Sequence, residues 1–150
     1  MKKWVAILLS IVWVSGCSQS QTYEPVKIEP EIDVCEICNM SIAHENYATE
    51  VILTENEVYK FDDLGCMLEF LEEGFILKEE IAKKFVRDVN TGEWLELESA
   101  FFRYHQDFWT PMANGVVSFQ KKEDAERYEE GVGEIYNYEE LLEHPWSWKQ

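Results

Sequence analysis

Hydrophobic and polar positions change rhythm several times along this chain. Trp4 to Val14 is an apolar run interrupted only by Ser10. Ser18 to about Asp33 is polar and then carries Pro25 and Pro30 among alternating charges, with no periodicity. That pattern predicts a tether, with the folded part beginning near Val34. Ala48–Thr54 is rich in β-branched residues and predicts a strand, residues 55–57 a turn, and Val58–Phe61 a second strand, so the pair is a predicted hairpin. Asp62 or Asp63 then caps a helix reaching Glu73, because Leu64, Met67, Leu68 and Leu71 recur at i, i+3, i+4 and i+7 and Gly74 follows.

Beyond Gly74 the rhythm weakens. Residues 78–83 fit another helical turn. Lys84–Val89 and Glu93–Leu97 read as strands around the turn Asn90-Thr91-Gly92. Ser99–His105 is aromatic-rich and fits either a short helix or a strand. Gly115–Phe119 is a predicted strand, Lys121–Glu130 a polar helix, and Tyr138–Glu143 one more helical turn before Pro145-Trp146-Ser147-Trp148. Strand then helix occurs twice, at 58–73 and at 116–130, each half preceded by a methionine, Met40 or Met112. The fold class expected is α+β, with two small β-β-α units at about 34–83 and 84–150.

Composition fits a folded domain: 46% of residues are hydrophobic and 14% aromatic, enough for a core within 150 residues. The charge adds an exclusion. Thirteen Lys+Arg against 30 Asp+Glu leave a formal −17, which disfavours nucleic acid and anionic lipid surfaces.

The N-terminus reads as an address. Lys2 and Lys3 precede an apolar run too short to span a bilayer comfortably, and small residues follow it, as in a secretory leader over residues 1–16. Val14-Ser15-Gly16-Cys17 resembles the bacterial lipobox, with Val where Leu is preferred. On that reading Cys17 is lipidated, residues 17–33 are the tether, and residues 34–150 hang from the outer face of a membrane. Cys35, Cys38 and Cys66 then remain as thiols, an odd number that argues against a pure disulfide framework.

The chemistry centres on Cys35-Glu36-Ile37-Cys38-Asn39-Met40, with His44 close behind. Two thiols and a thioether within six residues select soft metals. Three readings stay open. A copper(I) clamp would use strong thiolates and a weak, exchangeable thioether. Structural zinc would need a closed four-ligand set, and there is no recognisable second half-site. A redox disulfide motif would be expected at the start of a helix after a strand, whereas this one follows a tether. Cys66 lies one position off the helical stripe, as well placed to be a bystander as a ligand. Met67 reads as core, Met112 sits in a turn-like segment, and His44 and His105 are near-loop residues. His144 reads as tail surface, and the aromatic residues 101–109 as core that could also wall a soft-metal site. No hydrolase or phosphate-binding signature is present. The Asp62-Asp63 pair reads as a helix cap rather than a catalytic dyad.

Four features together resemble the NosL family of lipid-anchored accessory proteins: the lipobox ending in Cys17, Cys35–Met40, Phe61-Asp62-Asp63-Leu64-Gly65-Cys66 leading into a helix, and Asp107-Phe108-Trp109-Thr110-Pro111-Met112. Asn39 stands where the family often has Gly, and Asn tolerates the left-handed conformation. The resemblance implies a non-enzymatic copper(I) chaperone serving nitrous oxide reductase or a related copper enzyme. It also implies a fold similar to part of organomercurial lyase. The ligand candidates are then Cys38 and Met40, followed by Cys35 and Met112, followed by Cys66 and His44. The rival functions are a thiol–disulfide oxidoreductase using Cys35 and Cys38, and a zinc-binding docking module.

Overall fold

The computed structural model describes residues 22–145, so the leader, Cys17 and the tryptophans at 146 and 148 lie outside the described residues. Seven strands form two antiparallel sheets. β1 (Thr49–Leu53), β2 (Val58–Phe61), β3 (Ile81–Arg87) and β4 (Trp94–Glu96) run in the order β2-β1-β3-β4. β5 (Phe101–Tyr104), β6 (Val116–Phe119) and β7 (Glu134–Tyr136) run in the order β6-β5-β7. Three helices accompany them: α1 (Leu64–Glu73), α2 (Lys122–Arg127) and α3 (Tyr138–Glu143).

The α+β class and the repeated unit are both present, as β1-β2-α1 and β5-β6-α2. The division between the sheets is not at 83/84, which falls inside β3. β3 pairs with β1, and β4 joins β3, so both belong to the first sheet. The polar Lys83 and Lys84 obscured this strand. They lie in β3 and pair with Glu96 and Glu98 at 2.6 Å each. The helical turn expected at 78–83 is a 3-10 turn over Lys78–Glu80, after which the strand begins. The ambiguous stretch from Ser99 resolves into β5. The helix expected to reach Glu130 stops at Arg127, and a 3-10 turn over Tyr128–Gly131 follows. β7 was not expected, because three residues between Gly133 and Asn137 are too few to show alternation.

α1 forms as its sequence dictates. The Asp63 carboxylate accepts the Cys66 N–H at 3.1 Å, satisfying an orphan donor of the first turn. Leu64, Met67 and Leu68 are buried, and Gly74 ends the helix at φ 70, a left-handed position that costs glycine little. The stripe is wider than the periodicity indicates, since Cys66 and Phe70 are buried too.

Residues 22–33 are not a free tether. Ile28 is fully buried in the main core, the Val26 N–H donates to the Glu50 carboxylate at 2.9 Å, and the Tyr23 hydroxyl donates to the Thr54 carbonyl at 3.2 Å. One isoleucine between two prolines makes no period, so only the packing reveals the segment's role. β1, central between β2 and β3, is buried along its whole length, and the segment gives its Glu50 a partner in Val26.

The main core crosses both sheets and holds Phe61, Met67, Leu97 and Phe102. Asp88 ties the sheets together. It makes a parallel bridge with Ser118 and accepts from the Gln120 N–H at 2.8 Å.

Candidate metal site

The Cys35–Met40 segment folds into a tight knuckle. The Cys35 N–H donates to the Met40 carbonyl at 2.9 Å, and the Asn39 N–H donates to the Cys35 carbonyl at 3.0 Å. Asn39 sits at φ 58, a left-handed position that Asn tolerates better than most residues. An antiparallel bridge between Val34 and Ser41 closes the base, and the Glu36 N–H donates to the Lys60 carbonyl at 3.1 Å, fastening the knuckle to β2.

Cys66 arrives from the first turn of α1. The sulfurs of Cys35, Cys38 and Cys66 all lie within 4.8 Å of one another. Cys35 and Cys66 are buried and Cys38 is half-buried, so the group is reached from the side of Cys38. The sequence treated Cys66 as bystander or ligand alike, because helical phase alone says nothing about a knuckle 28 residues earlier.

The three thiols are electrostatically unequal. The Cys66 S–H donates to the Cys35 sulfur and backbone N–H groups of Cys38, Asp62 and Ile37 point at it. These donors outweigh burial and lower the Cys35 thiol to about 5. Burial pushes the Cys38 thiol up. Cys66 is pushed up, first by its own hydrogen bond to Cys35 and then by burial and the nearby Asp63 charge. One anion and two thiols therefore share the site at neutral pH. Asp62 is buried beside it, its carboxyl raised to about 6 by burial, by Asp63 and by the Cys35 thiolate.

Asp63 couples this site to the Met112 loop. Besides capping Cys66, its carboxylate accepts the Met112 N–H at 3.0 Å and two contacts from the Asn114 amide at 3.0 Å. Gly65 leaves room for that amide, since a Cβ there would lie 1.8 Å from the Asn114 nitrogen. The reading of Asp63 as a cap is correct but incomplete, and no sequence signal points to Asn114.

The other candidates are placed as follows. Met40 is 46% and Met112 36% exposed, thioethers on the surface rather than in the core. His44 is exposed and meets Trp109 edge-on at 4.7 Å. His105 lies 3.7 Å from Asp107. His144 is not simple tail surface: it is half-buried, with Nδ1 3.1 Å from the Tyr136 hydroxyl and its ring against Tyr104. Among the described residues, the three cysteines are the only metal-ligating cluster, with no histidine in it. Three soft donors suit a soft monovalent ion and leave a structural zinc site one ligand short.

The NosL family profile matches residues 25–145. The structure is similar to the crystal structure of the copper chaperone NosL from Shewanella denitrificans, with a TM-score of 0.69 at 20% identity, covering 80% of this chain and 96% of that one. At that identity the likeness establishes the fold. The chain is also 27% identical over 130 residues to the chaperone protein Skp of Blochmanniella pennsylvanica (strain BPEN), covering 87% of this chain and 70% of that one.

Proposed function

The chain belongs to the NosL family, and from that premise we propose that it carries copper(I) outside the cytoplasm and hands it to a copper enzyme. The observation that carries the reading is the trio of sulfurs within 4.8 Å, two buried and one half-exposed. Copper is cargo here, not a resident cofactor, and no catalytic role is assigned. On this proposal Cys17 is the lipid anchor, the outer face of the cell membrane is the location, and nitrous oxide reductase or a related copper enzyme is the client.

The ion enters from the side of Cys38 and meets the Cys35 sulfur, the thiol most readily ionised. Cys38 and Cys66 bind as thiolates, each releasing its proton to water. The exposed thioethers of Met40 and Met112 are weak, uncharged ligands at the rim, suited to holding the ion loosely during exchange. The client's ligands replace them one at a time, so copper leaves without unfolding of the carrier.

A second reading has one observation in its favour. A depressed Cys35 thiol next to Cys38 is also how thiol–disulfide oxidoreductases are built. An anaerobic copper(I) titration against a competing chromophoric chelator, with circular dichroism alongside, separates the two. The expected result is one copper(I) per chain with an unchanged fold, and a loss of affinity of about a hundredfold or more in Cys38→Ser. Failure to compete with the thiols reduced would discard the carrier and make the Cys35–Cys38 reduction potential the next measurement.

A further inference from the structure

A cavity of about 600 Å³, with Trp109 in its wall, plays no part in binding copper as described above. Two aromatic pairs wall it. Tyr47 and Trp109 stand 5.3 Å apart at 80°, and Phe108 and Tyr128 stand 5.2 Å apart at 90°. Glu129 and Glu130 line the same space. We propose that this cavity receives the cationic head of an arginine or lysine side chain presented by the protein that takes the copper. The identity of that partner rests on the carrier reading.

Ring faces attract cations, more strongly when water is partly excluded, and nearby carboxylates add direct Coulomb attraction. Both ingredients converge here. The Tyr47 phenol is pushed up by burial and then by the charge of Glu129, and the Tyr128 phenol by burial, then by Tyr47 and Glu129, so both rings feel that carboxylate. Among the described residues neither Glu129 nor Glu130 has an ion-pair partner. The loop carrying them is braced from behind by Arg103, which spends its donors on the carbonyls of Ala125, Val132 and Gly133. That guanidinium is buried and committed, so it does not fill the cavity. Asp107, the remaining acid of the lining, has one ion-pair approach among the described residues, 3.7 Å from His105.

Position and charge select the occupant. Trp109 is 57% exposed and touches His44, which lies close enough to Asp62 to favour that carboxylate, and the Asp62 N–H points at the Cys35 sulfur. This chain of neighbours runs from the cavity wall to the sulfur trio, so a partner that presents a side chain to the cavity is within reach of the metal site. Arginine and aromatic residues dominate the energetic centres of protein interfaces. The whole chain is strongly acidic and attracts a basic surface. The arrangement also accounts for Asp107-Phe108-Trp109, a motif that contributes no sulfur ligand.

The test is nuclear magnetic resonance of the full chain, following the Trp109 indole N–H, assigned with Trp109→Phe. Nα-acetyl-arginine amide is the probe and its neutral isostere Nα-acetyl-citrulline amide the control. A saturable shift with the arginine compound alone is expected. Glu129→Gln combined with Glu130→Gln weakens it at least threefold while copper(I) affinity stays unchanged. The same double variant slows copper transfer to apo nitrous oxide reductase several-fold, as rising salt does in the parent. No saturable shift, or equal shifts from both compounds, overturns the site. Binding of the arginine compound with unaltered transfer overturns the partner assignment. Either failure with intact copper(I) affinity leaves the carrier reading standing, and lost copper affinity with intact arginine binding does the reverse.

Discussion

Cys66 differs from its two partners because its S–H is already spent on Cys35. That hydrogen bond is the largest influence holding the Cys35 thiol near 5. Cys66→Ala removes that donor, so the Cys35 thiol should move up, read as a shift of the thiolate ultraviolet absorbance to higher pH. The same inequality sets the pH dependence of metal binding. Between the Cys35 value and the raised values of Cys38 and Cys66, a three-thiolate complex releases two protons. The logarithm of apparent copper(I) affinity should therefore rise by about two per pH unit across that window. A slope near one would mean that only one of the raised thiols binds. At this scale the knuckle was legible, because Cys-x-x-Cys spacing is local. Cys66 was not, because its partner chemistry comes from another element.

At the scale of elements, α1 and the 110–115 loop act as one unit through Asp63. An N-cap substitution alone costs about 0.5–2 kcal/mol. Asp63→Ala also strands the Met112 N–H and the Asn114 amide, and each lost buried hydrogen bond costs about 1–3 kcal/mol. The variant should thus lose more than a cap is worth, about 2 kcal/mol or more, measured by urea unfolding. Gly65→Ala should disturb the same link from the other side by displacing Asn114. If it unfolds at the parent's urea concentration, the tight approach is not structural. α1 was readable because its stripe, cap and terminal glycine agree. β7 and the true start of β3 were not, because a three-residue strand has no period and Lys83-Lys84 looks like surface until Glu96 and Glu98 are seen beside it.

Across the whole molecule, the segment 22–33 packs against the first sheet, with Ile28 in the core and Val26 and Tyr23 bonded to β1 and the residue after it. Ile28→Ala should cost about 2–5 kcal/mol, the range for emptying a buried aliphatic site; a value near zero would mean that the segment is not part of the folded unit. Glu50, buried under this segment with one carboxylate oxygen unpartnered, is raised by burial to about 7. A carboxyl whose pKa is higher folded than unfolded stabilises the fold at low pH and loses that contribution as pH rises. Stability should fall from about pH 4.5 to about 7, and Glu50→Gln should flatten that fall. Equal pH profiles for parent and variant would show that Glu50 does not titrate in that window.

What the sequence determined on its own was everything set by neighbours along the chain: the hairpin, the capped α1, the repeated strand–helix order and the Cys35–Cys38 knuckle. These depend on turn chemistry and hydrophobic period, which act over a few residues. Tertiary structure alone decided which thiol completes the trio, that Asp63 joins α1 to the Met112 loop, and that Pro25–Asp33 is packed rather than free. It also decided that Tyr47, Phe108, Trp109 and Tyr128 share one cavity with Glu129 and Glu130. Each of these is a meeting of residues distant in sequence, and such meetings are fixed by how the two sheets pack, which no local pattern encodes.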